Sequence, residues 1–456
     1  MNMHTHSTDE LIAELAPLLN AATMDERIAH LQDAVRSNWY GIRDAAVSEE
    51  ANNHVHTFYS FSPYSPTFAA FMARWSGLQV VGSIDHDSIS AAPEMVEACK
   101  IVGVASTVGA EVRTTWYNTP FADRKINSPD APGIAYVVIH GAPRRSWKAL
   151  DEYLAPIRAA RNERNRGQLD ALNSLLNGVG LEPLNFNEDI VPLSQSVDGG
   201  SVTERHLAFA VAQRLLKRFG RGAELVRVLR RHLDLEVGGT VEERLLDEEN
   251  PHYPYDLLGV LKSGLVPYIF ILPGEEECRP IAEVVATARQ MGAIPAYAYL
   301  GDVTESPTGD KKAERFEDGF LDELFDVITE LGFQAVTYMP PRNTKSQLRR
   351  VQDLCRSHGL MEISGVDINS SRQSFTCPEV LEPEFRHLND ASWALVAHEK
   401  VADCDPRLGL FAEGNPLGGR PTDRAARYAE LGRALDPASP EAACKVAKEM
   451  GWPTRQ

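Results

Sequence analysis

From about residue 80 onward one pattern recurs: a short apolar, β-branched run ends in a polar or charged residue, and a stretch with helical spacing usually follows. The runs are Val80-Val81-Gly82-Ser83-Ile84 ending at Asp85-His86, Tyr136-Val137-Val138-Ile139 ending at His140, and Ala293-Ile294-Pro295-Ala296-Tyr297-Ala298-Tyr299 ending near Asp302. Two more are Ala335-Val336-Thr337-Tyr338-Met339 before Arg342, and Met361-Glu362-Ile363-Ser364-Gly365-Val366 ending at Asp367. Helices are expected over 90–102, 281–291, 314–331 and 344–358. Strands alternating with helices predict an α/β fold with a parallel sheet. In a parallel barrel the C-terminal strand ends converge on one face, where barrel enzymes carry their chemistry. Asp85, His86, His140 and Asp367 are therefore expected to be neighbours.

The flanks read differently. Apolar residues recur at helical spacing near the start (Leu11, Ile12, Leu15, Leu18, Leu19), which predicts a helical N-terminal extension over 1–48. The strand pattern occupies 49–150 and 256–378 as two parts of one barrel. Between them, 151–255 reads as a mainly helical insertion, and 379–456 as a helical C-terminal extension packed on the barrel's outside. At 456 residues the chain exceeds the roughly 100–200 residues of an ordinary domain, and a barrel with insertions absorbs that length.

Composition narrows the partners. Lys plus Arg number 46 against 64 Asp plus Glu, and the net charge of -18 repels polyanions, so extended nucleic acid is not an expected partner. A small-molecule substrate with an anionic group held by a few local arginines fits, and a homo-oligomer is compatible with the sequence. The six cysteines show no CxxC spacing, which points to reduced thiols in a cytoplasmic protein. No basic segment leads into an apolar core at the N-terminus, and no run approaches the roughly 18 apolar residues of a membrane span.

The chemistry concentrates in histidines and carboxylates. In His54-Val55-His56 alternate residues of an extended segment face one way, so two imidazoles can meet one metal. The other such pair, His4-Thr5-His6, sits at a free chain end and is given no role. After His54-Val55-His56 come Ser83-Ile84-Asp85-His86-Asp87, Gly109-Ala110-Glu111-Val112, His140 and Gly365-Val366-Asp367-Ile368-Asn369. That donor mixture suits zinc, manganese or iron, and a carboxylate can bridge two ions. Each member also has a bland reading: Asp85 and His86 as strand-end caps, Glu111 as surface charge, His140 as a satisfied core histidine. Their coincidence at strand ends favours a site.

In that order the motifs resemble the PHP (polymerase and histidinol phosphatase) family of metal-dependent hydrolases, over roughly residues 50–375. The shared pattern is an HxH near the start, a TDH-like strand end, a Glu after a Gly, later histidines and a final Gly-Ser-Asp-x-His-like motif. Gly199-Gly200-Ser201-Val202-Thr203-Glu204-Arg205-His206 also resembles a segment of PHP phosphoesterases. The resemblance implies a distorted (β/α)7-type barrel. It also implies His54, His56, His86, Glu111, His140 and Asp367 as metal ligands, with one to three divalent ions per chain. The chain departs from the family at Asn369, where a His is usual, and at Ala298-Tyr299-Leu300-Gly301, where an Ala-His-Pro sequence is common; the usual Asp shortly after HxH is absent, with Phe61 and Ser62 in its place.

The expected activity is hydrolysis of a small phosphate ester by metal-activated water. Asp85, Tyr299 and Asp302 are candidates for proton handling, and Arg144, Arg145, Arg205, His206, Arg342 and Arg372 for binding substrate. Tyr299 serves equally well as a barrel-core tyrosine, and a surface salt bridge accounts for any one arginine. Two other readings stay open. One is a metal enzyme acting on a non-phosphorylated sugar-like substrate by lysis, isomerisation or glycosidic cleavage; the other is a degenerate barrel with a binding or regulatory role.

Overall fold

The computed structural model describes residues 8–128, 131–303 and 314–454, so the His4-Thr5-His6 pair lies outside the described residues. Seven strands form the wall of a barrel: β1 (Ala51–Val55), β2 (Val80–His86), β3 (Ala105–Thr115), β4 (Ile134–His140), β6 (Ile294–Ala298), β7 (Ala335–Tyr338) and β8 (Met361–Ser364), hydrogen-bonded in that order. A two-residue strand, β5 (Arg279–Pro280), pairs beside the end of β3. The barrel nearly closes through one parallel bridge, Val55 to Ile368, where the His56 N–H donates to the Ile368 carbonyl at 3.0 Å.

The sheet is not wholly parallel. β4 runs antiparallel to both β3 and β6. A parallel return needs a crossover of a dozen or more residues, usually a helix, whereas the described residues between Thr115 and Ile134 form turns and loop. The expectation that His140 sits at the same barrel mouth as His86 is thereby corrected. β4 points the other way, and His140 pairs across to Ile294, the first residue of β6.

Helices α3 (Pro66–Trp75) and α4 (Ala92–Val102) cover β1 and β2, and the N-terminal helices α1 (Thr8–Leu19) and α2 (Met24–Arg36) pack over them. In α1, Leu11, Leu15 and Leu19 are buried at helical spacing, each contributing roughly 1.5–3 kcal/mol. α2 starts at a capping box in which Thr23 and Glu26 satisfy each other's backbone N–H groups. The long helix α5 (Trp147–Leu176) lays Leu150, Leu154 and Ile157 on the barrel. Its second half supports a separate apolar core with α6 (Glu204–Phe219), α7 (Ala223–His232), α8 (Gly239–Leu246) and α9 (Tyr253–Ile269). The helical insertion thus includes α9 and begins inside α5. Returning to the barrel, α10 (Ile281–Gln290), α11 (Leu321–Leu331) and α12 (Lys345–His358) cover β6, β7 and β8.

The C-terminal segment contributes α13 (Arg386–Cys404), α14 (Pro421–Ala434) and α15 (Ala443–Glu449). α13 does not lie on the outside of the wall. Its Trp393, Ala394, Ala397 and Val401 pack against Ala51, Val80, Ala105, Ile294, Ala335 and Met361, which begin six different strands. α13 therefore plugs the N-terminal mouth, with the Asn53 amide donating to Ser392 Oγ at 2.7 Å and the Val108 N–H donating to Glu399 at 2.7 Å. The expectation of fully reduced thiols is also corrected: Cys404 and Cys444 form a disulfide that ties α15 to α13, while Cys99, Cys278, Cys355 and Cys377 are free and buried. Among the described residues no helix is long and apolar enough to cross a membrane.

Candidate metal centre

Strand alternation selects the side chains that enter the barrel. In the register of β2 and β3, His86 faces Glu111, Ile84 faces Gly109 and Gly82 faces Thr107. These residues point inward, while Ser83, Asp85, Val108 and Ala110 point outward. β1 reaches the same layer through an irregularity, because its register slips by one residue between Asn52 and Val55. The extra residue lets Asn53 and His54 both face inward before Val55 turns out and His56 turns in, a re-aiming typical of bulges beside active sites. The loop after β8 then carries Asp367 over the top. It passes so close to β1 that a Cβ on Gly365 would lie 2.6 Å from the His54 nitrogen, so only glycine fits.

Five donors converge there. His86 Nδ1 lies 3.0 Å from Glu111 Oε2, His56 Nε2 3.7 Å from the same oxygen, and His54 Nε2 3.9 Å from Glu111 Oε1. His56 Nε2 is 3.3 Å from Asp367 Oδ1. The ligand atoms of His54, His56 and Asp367, and those of His56, His86 and Glu111, each fall within 4.8 Å of one another. Glu111 sits among three imidazoles, where a bridging carboxylate would be wanted.

Protonation follows from burial and neighbours. Burial lowers the His54 pKa, and burial together with the nearby His56 holds His86 well below the usual histidine range, so both are neutral and able to act as ligands. Burial raises the Glu111 pKa. Burial opposes charge on the His56–Asp367 pair too, but their mutual attraction wins: His56 is raised and Asp367 is held well below the usual carboxylate range. A cation bound at this set has to displace that shared proton.

His140 occupies the next layer down on the inward face of β4. It is 1% exposed, its Nε2 has no hydrogen-bond partner, and burial depresses its pKa to about 3. What separates His140 from His206, whose Nε2 also lacks a partner but which caps α6, is its place beside His54 on the inward face, where a neutral, buried imidazole nitrogen favours a cation. The residues present thus fit a divalent ion.

Other expected residues lie elsewhere. Asp85 is buried but outward-facing, and it accepts hydrogen bonds from the Thr57 N–H (2.7 Å), Thr57 Oγ (2.7 Å) and Ser60 Oγ (2.6 Å). Ser60 Oγ is in turn 3.2 Å from His56 Nδ1, so Asp85 supports a ligand and does not face the cluster. Tyr299 points outward from β6 and donates to Asp318, and Asp302 accepts from the Phe316 N–H, so both brace the loop after β6. Arg144 and Arg145 follow His140 at the plugged mouth, where the Arg145 N–H donates to Asp403 of α13. Arg372 pairs with Asp256, and His206 forms the capping box of α6 with Thr203.

Two arginines do reach the site. Arg205 and Arg342 are both partly buried; Arg205 feels the Asp367 charge first, Arg342 feels Glu317 and Glu314 ahead of Asp367, and their hydrogen bonds go to neutral oxygens: Arg205 to Asn369 Oδ1 at 2.8 Å, Arg342 to the Leu300 carbonyl at 3.0 Å. Arg113 and Tyr136, not singled out from the sequence, are paired across β3 and β4 on the inward face. Arg113 Nη2 donates to the Tyr136 hydroxyl at 2.8 Å, and the Tyr136 ring lies 5.5 Å from that of His86. Their signal was positional, two residues past Glu111 and four before His140. Behind them Arg161 and Arg164 join Asp87, Glu204 and Glu277 in a buried ionic cluster that clamps α5 and α6 to the barrel.

No family model matches this sequence, and no curated protein matches it. Two solved structures are similar to it. One, from Bifidobacterium adolescentis and provisionally assigned as a metal-dependent phosphoesterase, is 16% identical over 73% of this chain and 93% of that one, with a TM-score of 0.47. The other, an amidohydrolase from Chromobacterium violaceum with bound sulfate and no metal, is 16% identical over 74% of this chain and 95% of that one, with a TM-score of 0.46.

Proposed function

We propose that this chain is a metal-dependent hydrolase of the PHP type, acting on a small phosphate ester. The observation that carries the reading is the pairing of the inward-facing donor set with two guanidinium groups, Arg205 and Arg342, that have no carboxylate in salt-bridge reach among the described residues. His54, His56, His86, Glu111 and Asp367 would hold one or two divalent ions, with His140 as a further donor; zinc, manganese and iron suit this mixture. A divalent ion supplies two things in such a site: water acidic enough to ionise near a pH of roughly 7, and polarisation of the electrophile.

The chain's own groups do the rest. Arg205 and Arg342 grip the anionic oxygens, because a guanidinium matches them with paired N–H donors. Ser60, anchored by Asp85, fixes the His56 ring so that Nε2 faces the centre.

Metal content measured by plasma mass spectrometry, alongside a panel of phosphate mono- and diesters, tests the reading. Near-stoichiometric metal, lost in His54→Ala/His56→Ala together with ester cleavage, is the expected result. Bound metal without cleavage of any ester would overturn the substrate class, and no metal in the wild type would overturn the enzyme reading.

A further inference from the structure

Asn369 ends the last motif, and its carboxamide lies between a guanidinium and a carboxylate. Arg205 Nη1 donates to Asn369 Oδ1 at 2.8 Å, and Asn369 Nδ2 donates to Asp367 Oδ1 at 2.7 Å. Arginine offers no acceptor and an ionised carboxylate offers no donor, so only this orientation of the amide satisfies both neighbours. The stem is fixed as well. Gln373 Oε1 accepts the backbone N–H groups of Asn369 and Ser370, each at 2.7 Å.

Both neighbours belong to the site. Asp367 Oδ1 is the oxygen that lies 3.3 Å from His56 Nε2. Among the described residues Arg205, from the first turn of α6, bonds only to the carbonyl and side-chain oxygens of Asn369, at 3.4 and 2.8 Å, and its charge is felt by Asp367. The amide oxygen accepts from Arg205 and the amide nitrogen, with no lone pair to give, donates to Asp367, so both ends of the carboxamide serve groups of the site.

Resting on the reading of the site above, the geometry points to Asn369 as a positioning residue with two separable outputs. Its oxygen aims the Arg205 guanidinium at the anionic group of the substrate. Its nitrogen aims Asp367 at the cation. A neutral amide does this without neutralising Arg205, as an aspartate there would, so the guanidinium keeps its full charge for an incoming oxyanion. One side chain thereby links substrate grip to metal grip, and the helical insertion, through α6, supplies one of the two anion contacts.

The test uses the full chain loaded with zinc and titrated calorimetrically with inorganic phosphate, and in parallel the zinc affinity by competition with a chelator. The variants are Arg205→Ala, Asn369→Leu, which is nearly isosteric, and the double variant, with Asn369→Ser as substitute should the leucine fail to unfold cooperatively. Arg205→Ala should weaken phosphate about ten- to a hundred-fold and leave zinc unchanged. Asn369→Leu should weaken phosphate by a smaller factor and zinc by about tenfold. The double variant should bind phosphate no worse than Arg205→Ala, because Asn369 acts on the anion through Arg205. Phosphate losses that multiply in the double variant, or an Asn369→Leu variant within twofold of wild type for both ligands, overturn the proposal. A wild type without zinc overturns the metal reading and with it the Asp367 output, while the phosphate cycle still decides the Arg205 output; a wild type that ignores phosphate overturns that output.

Discussion

Replacing Asp85 by alanine should loosen metal binding although this carboxylate never faces the metal centre. It accepts from Thr57 N, Thr57 Oγ and Ser60 Oγ at 2.7, 2.7 and 2.6 Å, and both residues are buried. In Asp85→Ala the two hydroxyls can rotate toward other acceptors, but the Thr57 N–H cannot. An orphaned buried N–H costs about 1–3 kcal/mol, and loss of hydrogen bonds to a charged acceptor about 1.5–3 kcal/mol more. A stability loss of about 2.5–6 kcal/mol follows, with zinc affinity down about ten- to a hundred-fold as Ser60 releases the His56 ring. In Asp85→Asn, Oδ1 can still accept from Thr57 N and Ser60, while the new amide N–H faces a Thr57 hydroxyl that can turn to accept it. That variant should lose only about 1 kcal/mol. Urea unfolding and zinc competition titrations on both proteins check this. If Asp85→Asn kept its stability yet lost zinc as fully as His56→Ala, Asp85 would be a direct ligand and the outward-facing assignment would be wrong.

Three further outcomes are expected. Glu399→Ala strips the acceptor from the buried Val108 N–H and should cost about 1–3 kcal/mol in urea unfolding without changing metal stoichiometry, since it acts on the plug at the far mouth; a changed stoichiometry would contradict that separation. Burial depresses the pKa of His206 to about 3 and of His398 to about 4, so the folded chain holds both neutral where the unfolded chain takes up protons. Through these two groups stability is present above a pH of about 6.5 and falls as the pH drops toward those values, by about 1.4 kcal/mol per pH unit for each, while Glu317 and Glu399, raised by burial to about 7, act in the opposite sense; His398→Gln should therefore change the slope of stability between pH 7 and 5 by about 1.4 kcal/mol per unit, and an unchanged slope would refute it. Thiol titration of the unreduced, denatured chain should count four free cysteines, and closing a 40-residue separation implies about 4 kcal/mol of stability lost on reduction; a count of six would remove the bond.

The sequence by itself determined the strand positions of β2, β4, β6, β7 and β8, since each is a β-branched run too short to be a helix, and the inward pair His54 and His56, since alternation survives past the bulge. It also marked His86 and Asp367, polar residues that end or follow apolar strands, and Glu111, which the structure places within β3 and not at its end. Only the tertiary structure decided direction and depth. Nothing local in Ile134–His140 says that β4 runs backward; the absence of a helical crossover before it does, and that moved His140 one layer below the mouth. Likewise Asp85 and His86 are adjacent in sequence, and the register between β2 and β3 alone settles which one faces the centre. The arginines were least legible. Any guanidinium can reach a phosphate or a surface carboxylate; the fold pairs Arg372 with Asp256 and leaves Arg144 and Arg145 at the plugged mouth, while neutral oxygens hold Arg205 and Arg342 where the Asp367 charge is felt.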